Sequence, residues 1–458
     1  MLQIVSPYTQ ELIKEIPLAD KNELEAKLSQ AHELFINQEQ HLPPHERIRI
    51  LEKAAQIMEQ QVEKLTKIAT EEGGKPFSDS KVEVLRAING VKLAAQEIGQ
   101  LKGEEVPMGL TAASENRLGF TMREPIGVVA AISAFNHPLN LIVHQAIPAF
   151  AAGCPVIVKP ALTTPLSCLA LIDIMKEAGM PKEWIQPLIC NDELAEKLAT
   201  DNRVNFLTFI GSSKVGWYLR SKVANGTRCA MEHGGIAPVI IEQDADIDQL
   251  IPLVTKGGFY HAGQVCVSVQ RVYIHESILE EVSKKLVSAA QNLAVGDPLD
   301  EKTAVGPLIL PKEVNRIKEW VDEAVAEGAQ LLCGGNRLDN NCFEPTILLN
   351  PPLSGKVSTQ EIFGPVICLY SYEDTEDAIK QANDTEMHFQ AAIFTSNIHT
   401  AIDSMKKVNA TAVMINDHTA FRVDWMPFGG RDTSGLGLGG IPHAMKDMTR
   451  EKLMVIKL

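Results

Sequence analysis

Five short apolar runs, spaced by helical stretches, constrain this chain more than any other feature. "GVVAAI" (127–132), "PVIVK" (155–159), "IQPLI" (185–189), "FLTFI" (206–210) and "PVIIE" (238–242) are separated by helical patterns over 140–152, 166–179, 192–199 and 213–225. Short buried strands alternating with helices imply a parallel sheet covered on both faces. Such sheets take ligands, often nucleotides, at the carboxyl ends of their strands. After residue 245 the alternation resumes, with helices at 277–292, 312–327, 374–384 and 398–408 and strands at 344–349, 366–372, 391–395 and 411–416. The first hundred residues read as helical, over 21–35, about 44–72 and about 81–101. The chain therefore reads as two α/β units meeting near "EHGGIAP" (232–238), and a cleft between such units is a common seat for a small molecule.

Composition removes several function classes. A length of 458 residues with 45% hydrophobic and 22% charged content describes a folded protein of more than one domain. A net charge of −15 argues against nucleic acid as a partner, since that needs a basic surface. None of the eight cysteines forms a C-x-x-C pair or a zinc-like cluster with histidine, so no metal site is expected. Scattered thiols and an N-terminus, "MLQIVSPYTQ", without an export pattern point to the cytoplasm. The most apolar region, 141–158, is interrupted by His144, Gln145, Pro148 and Pro155, which excludes it as a membrane span.

Several residues carry possible chemistry, each with a plain alternative. Cys266, in "HAGQVCVS" (261–268), sits on a connector between a helix (249–260) and a strand (269–275). A thiol on a loop can be a nucleophile, but its flanks bear no charge to lower its pKa, and alone they favour a structural role. Glu232 precedes a Gly-Gly turn and is either a general base or a solvated loop acid, with His233 as a rival base. In "GSSKVG" (211–216), Gly211, Ser212 and Gly216 open a helix whose N-terminus could hold a pyrophosphate, or simply make a turn. Asn136, in "AFNHPLN", could donate to an oxyanion or cap a helix. Lys159 ends a strand, where it could meet a ribose or phosphate or serve as a surface charge; "EIFGPV" (361–366) and "MPFGG" (426–430) are stiff turns.

Taken in order, "FNHPLN", "VIVKPA", "FIGSSKVG", "MEHGG", "GQVC", "VGDP…VGPLI", "EIFGPV" and "MPFGG" resemble the aldehyde dehydrogenase superfamily, from about Val5 to the C-terminus. "FNHPLN" is similar to the branch acting on phosphonoacetaldehyde, lactaldehyde and, without phosphorylation, glyceraldehyde 3-phosphate. The resemblance implies two doubly wound domains, a Rossmann-like NAD(P)-binding domain (1–106 and 126–235) and a catalytic α/β domain (236–440). A small β oligomerisation arm would come from a hairpin near 107–125 and from 441–458, giving a homodimer or homotetramer. It implies that Cys266 attacks an aldehyde, that Asn136 holds the oxyanion, and that Glu232 activates the water that hydrolyses the thioester. Lys159 and Glu361 would contact the two riboses, with Phe363 beside Glu361 and Ser212 at the pyrophosphate between Gly211 and Gly216. His137, Asn140, Val265, Val267, Phe421, Arg422 and Trp425 would line the substrate pocket.

Three departures from the family pattern bear on specificity. His233 stands where leucine is usual, and could shift the pKa or rotamer of Glu232. Val265 stands where arginine often binds an anionic aldehyde; Arg422 could replace part of that charge, while Phe421 and Trp425 suggest an aromatic wall. Leu162 stands where NAD-preferring relatives carry glutamate, so the cofactor reading leans slightly to NADP, with NAD also open. Two other readings stand beside oxidation to a carboxylic acid. One is acyl transfer to coenzyme A, or thiol esterase chemistry, at the same cysteine. The other is a catalytically silent protein of the same fold.

Overall fold

The computed structural model describes residues 1–458, the side chain of Gln38 apart. Its first sheet has six strands, in the order Gly435–Leu436, Arg228–Glu232, Val204–Ile210, Val128–Ile132, Val156–Lys159 and Ile185–Pro187. Every neighbouring pair is parallel except the first. The chain builds outward from Val128–Ile132 in one direction and then restarts on its other side at Val204–Ile210. That reversal opens a crevice at the carboxyl ends of these two strands, the usual ligand seat of a doubly wound sheet.

Alternation within the strands buries both faces. Val129, Ala131, Val156 and Val158 pack with helices Pro44–Gln60, Phe77–Glu97, Asn140–Ala152 and Leu166–Glu177. Val128, Ala130, Ile132 and Ile157 pack with helices Lys21–Ile36 and Asp192–Thr200 on the other face. The second sheet has seven strands, in the order Gln330–Cys333, Thr346–Leu349, Val366–Tyr372, Arg271–His275, Pro238–Ile241, Gln390–Phe394 and Ala412–Ile415. It is parallel apart from the antiparallel Gln330–Cys333 edge.

The structure moves several expected boundaries. The helix expected over 44–72 is two helices, Pro44–Gln60 and Val62–Gly73. Gln61 leaves helical ψ (19°), and its N–H bonds Met58 O in a tighter turn. Glu232 closes an unexpected strand, Arg228–Glu232. Strand Gly435–Leu436, within the stretch assigned to the second domain, pairs with it.

The arm also differs from expectation. A three-stranded sheet orders Thr449–Lys457, Arg117–Pro125 and Glu105–Val106, so the hairpin's first strand precedes residue 107. Residues 441–447 form helix Ile441–Asp447, whose Ile441 and Met445 are fully buried in the first core.

Buried charge links the helical segment to the sheet. The Lys75–Glu83 ion pair is 1% and 0% exposed. The other Glu83 oxygen accepts the N–H groups of Leu139 and Asn140, at the start of helix Asn140–Ala152. Removing one partner of such a pair strands a buried charge. Glu83→Gln should therefore cost about 3–5 kcal/mol of stability, read as a lowered midpoint of thermal or urea unfolding.

Candidate active site

One cleft of about 940 Å³ runs between the two sheets. The first sheet offers it carboxyl ends: Ser133 to Asn136, Lys159, Gly211 and Glu232. The second offers mainly the segments that precede its strands: Val265 to Val267 before Arg271–His275, and Glu361 and Phe363 before Val366–Tyr372.

A backbone reversal aims Cys266 into this space. His261, Ala262 and Gly263 have φ of 48°, 53° and 70°, three successive residues in the left-handed region. A Cβ at Gly263 would lie 2.0 Å from the carbonyl oxygen of Gly364, so only glycine fits. Cys266 and Val267 then form a turn closed by the Ser268 N–H to Val265 O at 2.9 Å. Val265 and Val267, 6% and 3% exposed, pack with Phe389 and Phe428, and Cys266 lines the cleft between them. Burial and the charges of Glu232 and Glu361 push its thiol well above the usual range, against the opposing pull of Arg422. The resting thiol is therefore protonated at neutral pH.

Glu232 ends its strand facing the same cleft. Burial raises its pKa, partly offset by Arg422. His233 does not disturb it. The imidazole packs beside Phe209 and Trp217, its Nδ1 3.1 Å from the carbonyl of Gly211, and presses on Gly216. Gly216 thus supplies close helix–strand packing and lies outside the cleft wall.

Asn136 is 5% exposed; one amide hydrogen goes to Gln264 O at 2.9 Å, which leaves the other free. Lys159 is 7% exposed, and no carboxylate among the described residues lies within salt-bridge distance of it. Ser212 is the N-cap of helix Ser213–Arg220, and its side chain caps nothing. Glu361 accepts the Gly235 N–H at 3.3 Å, and burial pushes its carboxyl up to about 7. Phe363, at φ 49°, meets Phe135 edge-on with ring centres 5.8 Å apart.

These groups suit a nicotinamide dinucleotide. A lysine without a carboxylate partner, a carboxylate and an uncapped helix N-terminus line one channel, matching two riboses and a pyrophosphate. Leu162 does not join them. It packs with Ile4, Ile16 and Ile189 under the N-terminal hairpin Leu2–Val5 and Leu12–Ile16, and Ala161 and Thr163 line the cleft instead.

Beside the expected Arg422 stand charges that no motif announced. Asp424, 2% exposed, accepts from Arg86 Nη2 at 2.7 Å and from His144 Nε2 at 2.8 Å. Burial pushes its carboxyl up, but the His144 hydrogen bond and the Arg86 charge outweigh this and hold it well below the usual range. His144 Nδ1 in turn accepts from Arg422 Nη2 at 3.3 Å. Burial, with help from Arg422, pulls His144 down to about 4, so the ring is neutral with its hydrogen on Nε2. Arg422 lies 3.5 Å from the ring centre of Phe428.

Arg86, His137, Asn140, Phe421 and Arg422 all line the cleft, and His137 Nε2 is 3.2 Å from the Tyr260 hydroxyl. Trp425 does not: it is 54% exposed and lies outside the described cleft wall. Asp424 turns inward to its partners, and the next side chain faces solvent.

Comparison with known proteins agrees with this geometry. Residues 1–454 match the aldehyde dehydrogenase family. The chain is 38% identical to 3-sulfolactaldehyde dehydrogenase of Priestia aryabhattai, over 100% of this chain and 95% of that one. The structure of aldehyde dehydrogenase 21 from Physcomitrella patens, in complex with the reaction product succinate, superimposes with a TM-score of 0.96 at 35% identity, covering 100% of this chain and 95% of that one. Glyceraldehyde-3-phosphate dehydrogenase from Methanocaldococcus jannaschii, complexed with NADP, gives a TM-score of 0.94 at 36% identity, covering 100% and 99%. The chain therefore belongs to the aldehyde dehydrogenase family, and its chemistry is the NAD(P)-dependent oxidation of an aldehyde.

Proposed function

We propose that this chain oxidises a short aldehyde bearing an anionic group and releases the carboxylic acid. The observation that carries the reading is that Cys266, Glu232 and two guanidiniums, Arg86 and Arg422, line one cleft. Asp424 pairs with Arg86, while Arg422 bonds only the neutral His144 and keeps donors for a carboxylate, sulfonate or phosphate on the substrate. The sulfonate of one relative's named substrate and the carboxylates of another's named product fit the same polarity.

Cys266 sulfur attacks the carbonyl carbon as Glu232 takes the thiol proton. The free Nδ2–H of Asn136 and the Cys266 N–H stabilise the oxyanion. When bound, the nicotinamide supplies the hydride acceptor. Glu232 then activates water against the thioester, which favours hydrolysis over transfer to coenzyme A. Lys159 and Glu361 would hold the two riboses, and the first turn of helix Ser213–Arg220 the pyrophosphate.

On this reading the six-stranded unit is the cofactor domain and the seven-stranded unit the catalytic one. Strand Thr449–Lys457 exposes Leu453, Met454, Val455 and Ile456, which supports an arm covered by another copy in a homodimer or homotetramer. Eight free cysteines suit the cytoplasm, and no helix among the described residues is long and apolar enough to cross a membrane.

Cofactor choice rests on charge. Because Leu162 packs away from the ribose end, the carboxylate that bears on NADP against NAD there is Asp192, which borders it. Asp192→Asn should raise kcat/KM with NADP relative to NAD by about tenfold, roughly the effect of one screened charge.

A four-carbon aldehyde with a terminal carboxylate should outperform its uncharged analogue of equal length. Arg86→Met should cut kcat/KM for the charged substrate by about 10–100-fold, the usual worth of a charge-assisted contact. The uncharged one should change little; an uncharged preference in the native enzyme would refute the reading. Because the resting thiol is neutral, iodoacetamide should label Cys266 slowly at pH 7, with a rate rising about tenfold per pH unit towards pH 9. Peptide mass spectrometry reads the labelling directly.

A further inference from the structure

Two helices that follow strands of the first sheet start without a local cap. Helix Asn140–Ala152 begins after Leu139 and helix Leu166–Glu177 after Pro165, and neither side chain can accept a hydrogen bond. Buried carboxylates from elsewhere in the chain take that place. Glu83 accepts the N–H groups of Leu139 and Asn140. Glu72, near the end of helix Val62–Gly73, serves the second helix. One of its oxygens accepts the Leu166 N–H at 2.6 Å, and the other accepts the Ser167 N–H at 2.8 Å and the Ser167 hydroxyl at 2.5 Å. The third such helix, Ser213–Arg220, starts at Ser212, whose side chain makes no cap bond.

The two carboxylates differ in their support. Glu83 pairs with Lys75, whereas Glu72 is fully buried with no basic partner among the described residues. Burial pushes the Glu72 carboxyl up to about 8, opposed by the hydrogen bonds from Ser167 and Leu166. Both oxygens of a carboxyl group can accept, whether or not it carries a proton. An amide has only one such atom.

Residues 160–165 join Lys159 to the helix that Glu72 holds, and Ala161 and Thr163 of this link line the cleft. The link is fixed at its start, where the Ser133 N–H bonds Lys159 O at 3.0 Å. It is fixed near its end by the Thr164 hydroxyl, which donates to Phe135 O at 3.3 Å, and beyond that by Glu72. A segment ordered before its ligand arrives loses less entropy when the ligand binds.

We propose that Glu72 is a positioning residue for the dinucleotide. It pins the start of helix Leu166–Glu177 and so holds the link in the shape that lays Lys159 along the cleft. Glu72 itself lies outside the cleft wall. The proposal rests on the reading of Lys159 as a ribose contact.

Two full-length variants test it. Glu72→Gln keeps the size but presents a donor where an acceptor is needed, and Ser167→Ala removes only the hydroxyl bond. Binding of NADPH and NADH is read by fluorescence titration without aldehyde. Glu72→Gln should raise the dissociation constants and the dinucleotide KM about tenfold, below the roughly 100-fold that a 1 Å misplacement can cost. Ser167→Ala should raise them about threefold, within the range of one hydrogen bond. Turnover at saturating dinucleotide and the iodoacetamide rate of Cys266 should stay near wild type. A lowered unfolding midpoint with unchanged dissociation constants would overturn the proposal, and Ser167→Ala alone decides this if Glu72→Gln does not fold. A parallel change in Cys266 labelling and dinucleotide binding, the mark of general loosening, would also overturn it. Wild-type dinucleotide binding by Lys159→Ala would instead remove the underlying reading.

Discussion

The cleft exists because one parallel sheet ends where the other begins. Parallel strands leave all their carboxyl ends on one side and all their amino ends on the other. Here the first sheet presents carboxyl ends to the cleft, and the second presents the turns that lead into its strands. A carboxyl end is followed by a helix N-terminus, which offers backbone donors to anions. An incoming turn can be strained without breaking a ladder, and it is there that His261 to Gly263 turn left-handed and set the thiol. On the proposed reading, the dinucleotide seat and the nucleophile come from opposite polarities of the same architecture.

Electrostatics within the cleft is a balance, not a sum of favourable pairs. Burial and two carboxylates keep Cys266 protonated, while Arg422 pulls the other way on both Cys266 and Glu232. Arg422 is itself buried with few partners, and is held by a neutral histidine and an aromatic face. A guanidinium held so sparingly keeps bonding capacity for a ligand. Asp424 makes this arrangement affordable, since its low pKa keeps a negative charge beside Arg86 and His144.

Much of the fold was legible because its inner strands are apolar on both faces, as in Val128–Ile132 and Pro238–Ile241. The missed strands are those with little burial. Leu2–Val5 and Leu12–Ile16 bury one residue each, and Arg228–Glu232 carries charge at both ends. The motifs holding Cys266, Glu232, Asn136, Lys159 and Glu361 led to residues that line one cleft. Side-chain direction is not legible in sequence: Leu162 packs under the N-terminal hairpin and Trp425 is exposed. Arg86 was invisible for a different reason: its partner Asp424 lies 338 residues further along the chain.

The N-terminal hairpin carries no chemistry, yet it lies against the back of the ribose end. Ile4 and Ile16 cover Leu162, three residues beyond Lys159, and the Ala19 N–H bonds Ile189 O at the far edge of the same sheet. Anything that peels these first residues away, such as a bulky fusion or a trimmed start, would wet the underside of the segment that carries the lysine. On the proposed role of Lys159, loosening this hairpin would weaken dinucleotide binding.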